Sequence, residues 1–188
     1  MGVQILSLLI YALFSLAISV FWLRFLLQLV RADFYNPISQ WIVRVTTPVL
    51  NPMQKIIPIY KGWHLGALAF IFLLQLVSMN LMAVLKGAGT LPILPLFVGA
   101  IVQLVYLATE FYFWLLLISV VLSWVGGGYS PFGALIAQLA EPVLAPLRKL
   151  LPSMGGIDLS PILAFLAIQI IQILLSHFAG NLMRLGML

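Results

Sequence analysis

Two patterns of apolar residues run along this chain. The first is long and unbroken: Met1 to Leu23, Leu65 to Leu85, Phe111 to Ala140 and Leu159 to Met183 carry no formal charge. A bilayer core needs about 20 such residues per helix. The runs are continuous rather than alternating every second residue, which predicts helices and not a β-barrel. The pattern therefore predicts an all-α integral membrane protein with four transmembrane helices, over about residues 3–30, 64–85, 97–125 and 161–182. The second pattern is short and periodic. Apolar side chains recur at Ile38, Trp41, Ile42 and Val45, and again at Phe132, Leu135, Ile136 and Leu139. That is the i, i+3, i+4, i+7 stripe of an amphipathic helix. Asn36-Pro37 and Ser130-Pro131 precede the two stripes, each an N-cap followed by a proline at the first helical position. At about ten residues each, these helices are half the length of a span. They are expected to lie flat at the membrane interface, the alternatives being re-entrant insertion or packing against other helices.

The two patterns are themselves repeated. A shift of 94 residues carries Pro37, Pro48, Pro52 and Pro58 onto Pro131, Pro142, Pro146 and Pro152. The same shift carries Lys55 onto Lys149, Gly62 onto Gly156 and Gln75 onto Gln169, without a gap. The chain thus divides into tandem repeats at 1–94 and 95–188, each reading as a span, a short amphipathic helix, a proline-spaced basic loop and a second span. Because each repeat holds two spans, the copies share one orientation, related by a pseudo-twofold along the membrane normal.

Charge sets the expected topology. The segment between the first two spans holds Arg31, Arg44, Lys55 and Lys61, and that between the last two holds Arg148 and Lys149. The other face has only Lys86 and Arg184. The positive-inside rule places both long loops in the cytoplasm and both termini outside. The chain is 64% hydrophobic and 7% charged, against about 25% charged in soluble domains, which excludes a soluble globular protein. The first run lacks a basic n-region and is longer than a signal-peptide core, so it is expected to remain in the mature protein. The net charge of +5 is scattered around apolar segments, and no nucleic-acid partner is expected. With no cysteine there is no disulfide, thiolate nucleophile or iron–sulfur site.

The run Glu141-Pro142-Val143-Leu144-Ala145-Pro146-Leu147-Arg148-Lys149-Leu150-Leu151-Pro152, continuing through Gly156, Asp158, Ser160 and Pro161 to Ile162, closely resembles the signature of the YggT (YlmG) family. The doubled arrangement looks like the bacterial members; single-unit relatives occur in Gram-positives and plastids. The resemblance implies a multi-pass protein of the bacterial cytoplasmic (inner) membrane. It links the chain to osmotic tolerance and ion uptake, to assembly of a membrane cytochrome complex, and to division or nucleoid organisation, with no shared reaction. The first copy departs from the signature, with Thr47 for Glu141, Gln54 for Arg148, His64 for Asp158 and Gly66-Ala67 for Ser160-Pro161.

Several residues invite a chemical role. Glu141, Arg148, Lys149 and Asp158 share one cytosolic loop whose conformations are limited by Pro142, Pro146, Pro152 and Gly156. They read either as a partner-docking surface or as a cap on the Ser160-Pro161 helix start with lipid-anchoring cations beside it. Arg24 and Glu110 are charges inside apolar helices, where such residues are functional candidates. The repeat sets Glu110 level with Leu16, eight residues from Arg24 and so about 12 Å apart in depth, which opposes a direct pair. Arg24 shares a face with Gln28 and Arg31 and is placed to snorkel. Glu110 is a buried hydrogen-bonding group or part of an ion or proton path. Gln75 and Ser78 fall on Gln169 and Gln172, a matched polar stripe extended by Ser176 that either joins helices or lines a pathway. His64 and His177 lie at opposite faces, too far apart to share a haem. No cofactor is expected, and hydrolytic, metal and phosphate-loop motifs are absent, so an enzyme is not expected. Two functions remain: a scaffold or assembly factor acting through the cytosolic loops, and a permeation component contributing to osmotic tolerance. The expected partners are the lipid bilayer, other membrane proteins and a second copy of the chain.

Overall fold

The computed structural model describes residues 2–57, 64–126, 130–150 and 158–184, with side chains up to residue 180 in the last segment. Pro58, Lys61, Pro152 and Gly156 lie outside the described residues. Among the described residues the chain is all-helical: α1 (Gly2–Leu29), α2 (Pro37–Ile56), α3 (Leu65–Leu85), α4 (Ile93–Val125), α5 (Pro131–Leu150) and α6 (Ser160–Arg184). Four of these, α1, α3, α4 and α6, are long and apolar enough to cross a membrane. The third span begins earlier than 97, because Pro92 precedes an apolar turn and α4 starts at Ile93. Its 33 residues are about 50 Å long, well beyond the ~30 Å hydrocarbon core.

The short helices correct the sequence reading. Each is 20 residues rather than about ten, because α2 runs straight through Pro48 and Pro52 and α5 through Pro142 and Pro146. What was expected to be a proline-spaced loop is helix. An interior proline removes the N–H that would bond the carbonyl four residues back. Here the prolines are themselves four residues apart, so both losses fall on one face, and all four prolines are exposed. In α2, threonine hydroxyls bond carbonyls just ahead of the first proline: Thr46 Oγ1 donates to Ile42 O at 2.7 Å and Thr47 Oγ1 to Val43 O at 2.5 Å. The predicted starts hold. Asn36 Oδ1 accepts from the Ile38 N–H at 2.9 Å, and Ser130 Oγ accepts from the Gly133 N–H at 3.0 Å.

Helix pairing is uneven. Within the first three helices α1 meets α3, α1 meets α2 and α2 meets α3; within the last three, α4 meets α6, α4 meets α5 and α5 meets α6. Between the halves, α3 lies along α4 and α2 touches α5, while α1 barely meets α4. The buried core gathers where the short helices cover the spans: Leu26 and Leu27 of α1, Leu50 of α2, Ala67 of α3, Leu116 of α4, Leu139 and Leu144 of α5, and Ala164 of α6. The first half of α1 is almost bare by contrast, with Leu8 66% and Leu13 67% exposed. Such exposed apolar side chains fit a helix that meets lipid or an apolar partner surface.

The short helices do not bury the whole stripe read from sequence. On α2 the covered positions are Ser39, Ile42, Thr46 and Leu50, while Trp41 and Val45 are exposed. On α5, Leu135 and Leu139, which stand at the same register, are buried in the core. α2 therefore has three faces: one against the spans, one exposed and apolar, and one exposed and polar with Gln40, Arg44 and Asn51.

α1 ends in a Schellman motif. Ala32 N–H bonds Leu27 O at 2.8 Å and Arg31 N–H bonds Gln28 O at 3.2 Å, with Leu27 and Ala32 both buried. The left-handed position is filled by Arg31, φ 51°, whereas the same motif after α3 uses Gly87, φ 79°. A side chain at such a site costs roughly 1 kcal/mol that glycine avoids. Arg31→Gly is expected to raise thermal stability in detergent by about 1 kcal/mol, as read by unfolding scans of the purified chain.

Candidate functional site

Of the charged residues singled out at 141–158, Glu141, Arg148 and Asp158 meet one another. Arg148 sits in the last turn of α5, and Glu141 stands two turns earlier on the same helix. Arg148 Nη1 donates to both Glu141 oxygens, at 2.9 and 2.8 Å, and Arg148 Nε donates to Asp158 Oδ2 at 2.9 Å. Asp158 also holds the start of α6: its Oδ1 accepts the Ser160 N–H at 2.9 Å and the Ser160 hydroxyl at 2.6 Å. The Ser160 hydroxyl first, and Arg148 after it, hold the Asp158 carboxyl below the ordinary aspartate range. Asp158 and then Glu141 raise the Arg148 guanidinium above its usual value, keeping it charged. All three side chains remain about half exposed, so each pair contributes only about 1 kcal/mol. The cluster is thus a latch between the end of α5 and the head of α6, which leaves Lys149 as the exposed cation there without an ion pair among the described residues. Pro142 and Pro146 sit on the exposed face of α5, Ser160 is buried and Pro161 opens α6 beside it. Above the latch, Ser119, Ser123 and Trp124 of α4 join Arg148, Asp158 and Phe165 around a cavity of ≈ 620 Å³.

The first half holds an uncharged latch in the same place. His64, 1% exposed, caps α3 by accepting the Ala67 N–H on Nδ1 at 3.2 Å, and its Nε2 meets the Gln54 amide at the end of α2. Because Nδ1 accepts, the neutral ring carries its proton on Nε2; the Gln54 atom facing it is Nε2, and a flipped amide would set its oxygen there to accept that proton. Gln54 and His64 stand where the 94-residue shift puts Arg148 and Asp158. Sequence alone shows the two substitutions but not that they remain partners.

The two halves also touch directly. Asn36 Nδ2 donates to Pro131 O at 2.5 Å, and the Asp33 N–H donates to Gln138 Oε1 at 3.2 Å. No sequence signal marks these contacts, since they join residues 95 and 105 positions apart.

Glu110 lies midway along α4 and lines an open cleft of ≈ 420 Å³ between α1, α4 and α5. Tyr11, Ser15 and Ser19 of α1, spaced four residues apart, face into it with Trp114 and Phe132. That polar ridge was legible as an i, i+4, i+8 spacing but was not singled out. Arg24 does not reach Glu110, and both ion pairs among the described residues belong to Arg148. Nor does Arg24 snorkel freely: its Nε and Nη1 are buried without a protein partner, as are Gln28 Oε1 and Trp22 Nε1.

The matched glutamine stripe is corrected. Gln75 and Ser78 are buried, but Gln169 and Ser176 are exposed, and Gln172 is half-buried with its Nε2 donating to Thr109 Oγ1 at 3.3 Å. The reason is packing: α3 lies between α1 and α4, while α6 has only α4 and α5 beside it. The same register therefore points inward in one helix and outward in the other.

Among the described residues, six helices, four of them long and apolar enough to cross a membrane, with short helices latched to the heads of α3 and α6, mark a multi-pass helical membrane protein. The chain belongs to the CCB3/YggT family, whose model matches residues 3–85 and 98–179. It is 48% identical to an uncharacterised Pseudomonas aeruginosa protein over 85% of this chain and 82% of that one. It is 39% identical to an uncharacterised Vibrio alginolyticus protein over 93% and 95% of the two chains. It is 32% identical to the uncharacterised protein YggT of Escherichia coli over 97% and 96%. No solved structure matches the chain.

Proposed function

We propose that this protein is a non-enzymatic scaffold or assembly factor of the bacterial cytoplasmic membrane, built from two parallel copies of one unit, 1–94 and 95–188. In this reading α2 and α5 lie in the cytoplasmic interface and the termini are outside. The observation that carries it is the contact between α2 and α5, bonded through Asn36 to Pro131 and Asp33 to Gln138. With both short helices latched to the spans, they make one platform whose exposed side presents Arg44, Lys55 and Lys149. Such cations favour anionic lipid or an acidic partner surface by about 1 kcal/mol each. The amphipathic character of α2 supports the interfacial placement: its exposed apolar residues Trp41 and Val45 form a strip beside the polar residues Gln40 and Arg44.

A second reading, ion or solute permeation contributing to osmotic tolerance, is favoured by the Glu110 cleft alone. One experiment separates the two. A photocrosslinker at Lys149 in native membranes is expected to give a discrete adduct, lost when Arg148 is replaced, and liposomes of the pure chain are expected to pass no ions. Specific flux abolished by Glu110→Gln would overturn the scaffold reading. Orientation has its own check: single cysteines at Lys149 and Gly87 are expected to be labelled from opposite faces, and labelling of Lys149 from outside reverses the topology.

A further inference from the structure

Glu110 occupies an unusual position. It is the acidic residue of α4, about halfway along a helix long enough to cross the bilayer. A carboxylate at that depth is costly unless it meets a cation or a proton. Among the described residues it has no cationic partner. Instead it borders an open cleft of ≈ 420 Å³, within the size range of small-molecule sites at about 300–1,000 Å³.

The lining narrows what fits. One wall carries three hydroxyls, of Tyr11, Ser15 and Ser19; the rest is hydrocarbon and aromatic, with Trp114 and Phe132 both exposed toward open space, at 55% and 42%. A small hydrated cation would exchange its water for a single carboxylate and hydroxyls on one side, with hydrocarbon opposite, which is a poor exchange. A neutral acyl chain would fill the volume but leave Glu110 uncompensated. A cation with an apolar aromatic body satisfies both features, its charge against the carboxylate and its rings against Trp114 and Phe132. The cleft is reached sideways, because α1 and α4 barely touch. A ligand that partitions into the bilayer can enter without crossing the platform.

We propose that the cleft between α1, α4 and α5 binds a lipophilic organic cation, held by the Glu110 carboxylate and the exposed rings of Trp114 and Phe132. The site requires that α1 and α4 lie in the bilayer and is independent of whether the α2–α5 platform docks a partner.

The test uses the full chain in lipid nanodiscs with tetraphenylphosphonium as the probe, followed by quenching of tryptophan fluorescence and by equilibrium dialysis. Saturable binding at about one probe per chain is expected. Glu110→Gln is expected to weaken it at least about tenfold, while Glu110→Asp retains most of it. Neutral triphenylphosphine oxide, similar in its rings but uncharged, is expected to bind at least about tenfold more weakly than the cation. Ser15→Phe fills the cleft from the α1 side, leaves the carboxylate in place and is expected to abolish binding. Each variant is checked for unchanged helicity and elution, and Ser15→Phe stands in if Glu110→Gln fails to fold. Absence of saturable binding, equal binding of the neutral probe, or binding that survives both Glu110→Gln and Ser15→Phe would overturn the proposal.

Discussion

Arg148→Glu lowers thermal stability by about 2–3 kcal/mol. It removes both ion pairs of the latch and sets a third carboxylate between Glu141 and Asp158, which Arg148 now joins at 2.8 and 2.9 Å. Arg148→Met, which only deletes the two pairs, costs about 2 kcal/mol at most, because the side chains are about half exposed and solvent screens them. Asp158 separates two contributions. Asp158→Asn keeps an oxygen for the Ser160 N–H and loses the charge and the oxygen that accepts from Arg148 Nε, whereas Asp158→Ala also frees the head of α6, so the alanine variant is less stable by about a further 1 kcal/mol. Acid acts on the same group. The folded carboxyl lies below its ordinary value, so its contribution is complete above the aspartate range and is lost as pH falls through the depressed value. Unfolding scans of the wild type therefore show a loss below about pH 4 that is reduced in Asp158→Asn. Equal stability of Arg148→Glu and wild type would remove the latch from the account.

The second large effect concerns the uncharged latch. Gln54→Arg alone costs about 2 kcal/mol. It replaces the amide that meets the buried His64 ring with a guanidinium, a charge and five donors set against that ring. The double variant Gln54→Arg with His64→Asp installs the pair found at Arg148 and Asp158 and recovers more than half of that loss. A double-mutant cycle measures the coupling directly. Additive costs would show that the two latches are not interchangeable, and with it that the 94-residue shift does not extend to side-chain contacts.

Both experiments bear on the scaffold reading, because the latches fix α2 and α5 to the heads of α3 and α6. Loosening one end is expected to reduce crosslinking from the platform before it unfolds the spans. The Glu110 cleft is lined in part by Phe132, Ile136 and Leu139 of α5, the helix that Arg148 latches, so probe binding is expected to be read alongside the latch variants.

The sequence by itself determined what depends on near neighbours in the chain. Uninterrupted apolar runs gave four spans, since only a helix satisfies its own backbone in lipid. Asn36-Pro37 and Ser130-Pro131 marked the starts of α2 and α5, since capping needs only the next three residues. The 94-residue shift and the family signature were likewise legible without coordinates. What only the tertiary structure decided is which faces are covered and which distant residues meet. Prolines read as loop punctuation, yet four apart on an exposed face they leave a helix intact. Gln75 and Gln169 hold the same register, but one is enclosed between α1 and α4 and the other is bare, because α6 stands at the edge of the array. The charges at 141–158 read equally as a docking surface or a structural cap, and only their folded placement joins Glu141, Arg148 and Asp158 into a latch. Periodicity is a property of one helix; burial is a property of its neighbours, and those are chosen by contacts across the whole chain.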